Sequence, residues 1–229
     1  MGVAARALRR VALTTALTTA LTTALAAPPA AATPLVVAVA PGVTLDWSRG
    51  ALVATGVGPA DRNAPSPTVA RVGAARAAEQ AARAALAAAL AQVPAIGGRF
   101  DPRTPAVARE LALAPVVAID RGTDGSAKVT VALGLEALRQ ARSGPRPVAD
   151  DDGVLLIAYV DARRLAVTPA VGLAVVHGGD RWTGPTRFVA ALPDGVVPMI
   201  ATAASADGLT VPNAVAGSAA VVVVVPPDP

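Results

Sequence analysis

The segment VTLDWSRGALVAT, residues 43–55, decides the fold. Its first five residues alternate, so Val43, Leu45 and Trp47 fall on one face of an extended chain. Ser48-Arg49-Gly50 can turn, and Ala51 to Thr55 returns as a second strand. Gly56-Val57-Gly58-Pro59 reads as the exit from this hairpin, because Gly and Pro interrupt strands, and Ala60 to Pro65 reads as a polar loop. Ser66 then stands as an N-cap before Pro67, whose fixed φ and missing N–H suit the first position of a helix. Pro94 and Gly97-Gly98 stop that helix near Val93. Around it, Arg76, Glu79, Gln80 and Arg83 share one arc, with Glu79 and Arg83 at ion-pair spacing. Ala70, Ala74, Ala77, Ala78, Ala81, Ala85 and Ala88 form the opposite face, expected to be buried because alanine lets a helix approach a sheet closely.

Working outward, Thr104-Pro105 caps a shorter helix that ends near Leu113. Pro115 to Asp120 and Ala127 to Leu133 form a second hairpin around Thr123-Asp124-Gly125, and Gly134 to Arg142 a short closing helix. The expected class is α+β, an antiparallel sheet covered on one face by a long Ala-rich helix, over residues 43–142. SGPRPVADDDG, residues 143–153, is a candidate boundary of turn-formers and acids. Beyond it, Val154 to Val160, Gly172 to Val176, Arg187 to Ala191, Val196 to Thr202 and Ala219 to Val225 are short apolar runs, so residues 153–229 read as mostly β.

The start of the chain has another character. Arg6, Arg9 and Arg10 precede an uncharged apolar run from Val11 to Ala27, with small-x-small sites at Ala24-Leu25-Ala26 and Ala30-Ala31-Ala32. Residues 1–27 therefore read as a signal peptide, cut after Ala26 or Ala32. Six threonines and a length short of the ~20 residues that span a bilayer weigh against an anchor. Residues 28–42, rich in Ala and Pro, read as a tether. Removing the three leader arginines from the twenty basic residues leaves seventeen against sixteen acidic ones, so the body is nearly neutral. Its arginines are scattered along the chain among acids, and the five aromatics are too few for stacking platforms, so no nucleic-acid footprint is expected. With no cysteine there can be no disulfide, thiolate site or lipid-bearing cysteine.

Chemical motifs are sparse. His177-Gly178-Gly179 echoes an oxyanion loop, but a nucleophile elbow and a second histidine are missing, so Gly178-Gly179-Asp180 reads as a hairpin tip. Asp150-Asp151-Asp152 lacks the spaced ligands of a calcium loop and reads as a solvated linker. Gly56-Val57-Gly58 lacks the third glycine of a dinucleotide loop. No catalytic, cofactor or metal residues are therefore assigned. Asp161 and Arg163 share a face at the end of an apolar run, with Trp182 placed to lie near them in a returning hairpin, and these three make a candidate interaction surface. Their structural reading is an aspartate bonding turn amides and an arginine lying over the tryptophan.

Leu45-Asp46-Trp47, Gly50, Ala54, Gly56 and Gly58, then Ala74 to Leu90 with Arg83 and Leu86, resemble the opening of the twenty-kilodalton membrane-associated lipoprotein family, LPP-twenty. That family is similar in arrangement to the N-terminal part of the flagellar assembly protein T. Leu156 to Arg163 followed by Pro169-Ala170 is similar to the segment that longer relatives carry next. The resemblance implies a non-enzymatic, exported envelope protein, periplasmic or associated with the outer membrane, without cofactors. It would act in structural assembly, surface or flagellar, through itself or another envelope protein, with membrane contact at most peripheral. Two other classes stay open: an envelope hydrolase using paired carboxylates such as Asp161 and Asp180, and a small-ligand module with a cavity between helix and sheet.

Overall fold

The computed structural model describes residues 32–144, 156–215 and 218–226. In chain order the elements are β1 (Thr33–Pro34), β2 (Val36–Ala40), β3 (Val43–Asp46), β4 (Ala51–Gly58), α1 (Pro67–Ala89), α2 (Pro105–Leu113), β5 (Val116–Arg121), β6 (Ala127–Gly134) and α3 (Leu135–Ser143). They continue with β7 (Leu156–Asp161), β8 (Ala174–His177), β9 (Asp180–Trp182), β10 (Thr186–Ala191), β11 (Met199–Ile200), β12 (Ala203–Ala204), β13 (Gly208–Thr210) and β14 (Ser218–Val224). A 3-10 turn, Leu90–Gln92, ends α1. The fold is α+β, with the long alanine-rich helix on one face of an antiparallel sheet and a strand-rich C-terminal half.

The first sheet has the order β2-β3-β4-β6-β5, antiparallel throughout. Alternation in β3, β4 and β6 turns Leu45, Leu52, Ala54, Val129, Val131 and Leu133 toward α1, and all are buried. Ser66 accepts a hydrogen bond from the Val69 amide at 3.3 Å, with Pro67 in the first turn as its sequence implies. Thr104 precedes α2 but its side chain makes no capping bond.

The buried stripe of α1 is Ala74, Ala78, Ala82, Leu86 and Ala89; Ala77, Ala81 and Ala88 are exposed, and Ala70 and Ala85 half-buried. The expected face was therefore rotated from the true one. Alanine occurs on every side of this helix, so hydrophobicity does not fix its roll. Arg83 does. Its guanidinium bonds the Leu111 carbonyl at 2.8 Å and the Ala112 carbonyl at 3.2 Å while pairing with Glu79 at 2.8 Å. The polar arc is thus turned sideways to satisfy the exposed carbonyls at the end of α2. Ala78→Leu is expected to overpack the sheet contact and cost roughly 1–3 kcal/mol, whereas Ala81→Leu stays within about 0.5 kcal/mol of the parent. Thermal melts of the two variants separate the two rolls.

Gly56 and Gly58 are not a strand exit: β4 runs through Gly58, and both glycines face α1. A Cβ on Gly56 would overlap the Ala78 carbonyl and the Ala82 amide, and one on Gly58 the Ala74 carbonyl and the Ala78 amide. Glycine on the sheet and alanine on the helix together bring two backbones into contact.

The second half contains a five-stranded sheet of order β1-β10-β14-β7-β11 and a four-stranded sheet of order β12-β13-β8-β9. β10, β14, β7 and β11 run parallel, as do β13 and β8. β14 is central and covered on both sides. Val221, Val223 and Val225 enter the main core, while Val222 and Val224 pack with Val189 on the other face. Burial on both faces is why its sequence is a continuous valine run rather than an alternation.

The tether expected over residues 28–42 is corrected from residue 33 onward. Thr33–Pro34 pairs with β10 and Val36–Ala40 pairs with β3, so this strap belongs to both halves. Leu35 between them is buried, and its carbonyl accepts from the Trp47 amide at 2.9 Å. Pro34 is tolerated because it sits on an edge strand. Residues 1–27, expected to be a signal peptide, and Asp150-Asp151-Asp152 lie outside the described residues.

The two halves share one core. Trp47 and Phe188 meet edge to face, centroids 5.4 Å apart at 80°, and the Phe188 amide donates to the Trp47 carbonyl at 3.2 Å. The Ile96 amide donates to the Val171 carbonyl, and the Val171 amide to the Pro94 carbonyl, both at 2.9 Å.

Candidate functional site

Asp161 ends β7, and Arg163 folds back onto it. The Arg163 Nε and Nη2 donate to the two carboxylate oxygens at 3.0 and 2.6 Å, and the Arg163 backbone N–H adds a third bond at 3.0 Å. These bonds hold the Asp161 carboxyl below the ordinary carboxylate range. Trp182 belongs to a different sheet, on its edge strand β9, and its ring is buried in the core. The structure thus joins two of the three expected residues. The aspartate bonds a turn amide as anticipated, but Arg163 lies against Asp161 rather than over an indole ring. A buried Trp182 offers no aromatic face to a partner.

Asp180 opens the exposed hairpin β8–β9, opposite His177. Gly178 and Gly179 both have positive φ, 57° and 97°, the backbone that a two-residue hairpin loop demands. The His177 Nδ1 lies 3.2 Å from the Val211 carbonyl. Asp161 and Asp180 stand on different sheets, and the first is already bonded to a guanidinium. Among the described residues no group of three or more His, Cys, Asp or Glu could hold a metal. The cavity that a small-ligand module would need between helix and sheet is closed where Gly56 and Gly58 meet α1. An apolar hollow of about 450 Å³ lies instead between the strap and residues 167–169, lined by Leu35, Val37, Trp47 and Val167.

The junction of the halves holds a second concavity, with charge. It has two lobes of about 210 and 190 Å³ that share Arg139, Val171 and Gly172. The first lobe has Trp47, Leu135 and Pro185 as apolar walls and Arg49 and Arg187 beside it; the second has Phe100 and Ile96, with Arg142 and Arg181. Five arginines and one carboxylate, Glu136, line the whole. No family model, curated protein or solved structure matches this chain. The site is therefore read from its own geometry.

Each guanidinium has a different occupation. Arg139, only 5% exposed, sits one turn after Glu136 on α3, and its Nε and Nη2 donate to the two Glu136 oxygens at 2.8 and 2.6 Å. That pairing raises its pKa further, so it stays charged. Arg142, one turn on, donates to the carbonyls of Ile96, Gly98 and Arg99 at 2.7 to 2.9 Å and stacks 4.1 Å over Phe100. It fixes the 94–100 loop against α3, with no carboxylate paired to it among the described residues; desolvation lowers its pKa. Arg181 is shared with Asp207 at 2.8 Å. Arg49 has only a 3.7 Å approach to Asp46 and an 85% exposed side chain. The Arg187 side chain has no ion-pair or hydrogen-bond partner among the described residues.

Reading charge along the chain misses this cluster. Its members come from the β3–β4 turn, α3, β9 and β10, scattered along the sequence, and only the docking of the halves brings them together.

Proposed function

We propose that this chain is an exported protein of the cell envelope that works by assembling with itself or with another envelope component rather than by transforming a substrate. The observation that carries the reading is the outer face of the first sheet. Strand alternation and register put Val36, Thr44, Val53, Thr55, Val57 and Thr130 on the side opposite α1. Val36 is 51% and Val57 65% exposed, while Thr55 and Thr130 link their hydroxyls across the strands at 3.3 Å. A sheet face rich in aliphatic and hydroxyl side chains, with no layer covering it among the described residues, is the kind of surface that protein contacts use. The arginine-tipped apolar leader and the resemblance to the LPP-twenty family support the envelope as the place of work. Among the described residues no helix is long and apolar enough to cross a membrane.

Crosslinking in intact cells, followed by fractionation, tests both parts. The expected result is leaderless protein in an envelope complex, and a Val36→Lys/Val57→Lys double variant that leaves the complex while melting at the parent temperature. A strictly monomeric protein with no envelope partner, or intact leader in the cytosolic fraction, sinks the proposal.

A further inference from the structure

We infer that the arginine-lined cleft between the halves binds a small organic oxyanion, a carboxylate or phosphate head on a short apolar body. The inference does not depend on where the protein works. The guanidinium inventory leads to it. Arg139 spends Nε and Nη2 on Glu136, Arg142 spends Nη1 and Nη2 on three carbonyls, and Arg181 shares Nη2 with Asp207. Arg187 and Arg49 remain with donors to spare, and both line the first lobe. A guanidinium offers N–H groups in a planar fork that matches two oxygens of one head group, and such charge-assisted bonds are the strong ones. Arg142, bonded to carbonyls rather than to a carboxylate among the described residues, adds positive potential from the adjoining lobe.

The walls supply the other half of the recognition. Trp47 is braced edge-on by Phe188, and Leu135 and Val171 are buried beside it, so the floor is apolar and rigid. Gly172, at φ 84°, keeps the shared wall between the lobes bare of a side chain. Each lobe is smaller than the ~300 Å³ at the low end of drug-sized pockets, which limits the ligand to a compact head and a few carbons.

Calorimetric titration of the whole protein with hexanoate, hexyl phosphate, hexanol and hexylammonium tests this. At least one anion is expected to bind saturably at one site, with hexanol and hexylammonium silent, and the tighter anion assigns the head group. Arg187→Gln should weaken that binding about tenfold or more and Arg49→Gln less, while Arg164→Gln, an exposed arginine outside the cleft, changes it under about twofold. All three positions are on the surface, so the variants should melt with the parent. Hexanol binding as well as the anions, neither anion saturating, or an unchanged isotherm for Arg187→Gln overturns the assignment.

Discussion

Gly56→Ala is expected to destabilise the protein by about 3 kcal/mol, the upper end of what core overpacking costs. The new methyl group would fall on the Ala78 carbonyl and the Ala82 amide. Both are helix backbone, so no rotamer change relieves the clash; α1 must lift or β4 must bend. Lifting α1 also loosens the contacts of Ala74, Ala78, Ala82 and Leu86 with the sheet. For a chain of this size such a loss lowers the melting temperature by roughly 6–12 °C. Gly73→Ala is the control for the residue change itself. Gly73 is exposed in α1 with open space where a Cβ would go, so alanine there should stabilise by about 0.4–1 kcal/mol through a less flexible unfolded chain. Circular dichroism melts of the two variants should therefore move in opposite directions. A Gly56→Ala protein that melts with the parent would mean that the helix is seated farther from the sheet than this packing requires.

The same contact explains what was legible in the sequence. The Val43-Leu45-Trp47 alternation and the Ser66-Pro67 start carry local physics, pleat and cap, and β3 and α1 stand there. The roll of α1 is not local. A helix with alanine all around it has no apolar stripe to read, and its orientation follows from Arg83 reaching the carbonyls at the end of α2. Pro and Ala composition hid the strap, although Leu35-Val36-Val37 within it is a β-forming run. The parallel pairing of β7, β14 and β10 was equally hidden, since a valine run announces burial on both faces but not the direction of its neighbours.

The candidate site was legible only in fragments. Asp161 and Arg163 are two residues apart, and their pair is a local event that spacing can reveal. Trp182 was drawn toward them by an assumed hairpin return, but β9 joins the other sheet. The cleft could not be read at all, because Arg49 and Arg187 are distant in sequence and line one cavity only once the halves dock. Sequence shows which charges exist; the docking of the halves decides which face one cavity.

That contact carries the second large expectation: Phe188→Ala should cost about 3–5 kcal/mol and loosen both halves together. Phe188 is fully buried, its ring braces Trp47, and its amide bonds the Trp47 carbonyl across the junction. The backbone bond remains in the variant, so what is lost is the ring and the volume it fills. Because one core runs from Leu52 and Leu86 through Trp47 to Val223, a cavity at residue 188 borders both sheets. The strap adds a second coupling, since opening β10 also frees β1 and, through Leu35, strains β2. Amide hydrogen exchange along a urea series reads this directly. Protection in β4 and in β14 should fall by the same free energy in the variant, as one cooperative unit requires. Loss confined to β14, with β4 and α1 still protected at the parent level, would instead make the halves two independently folding bodies, and the cleft between them a movable seam.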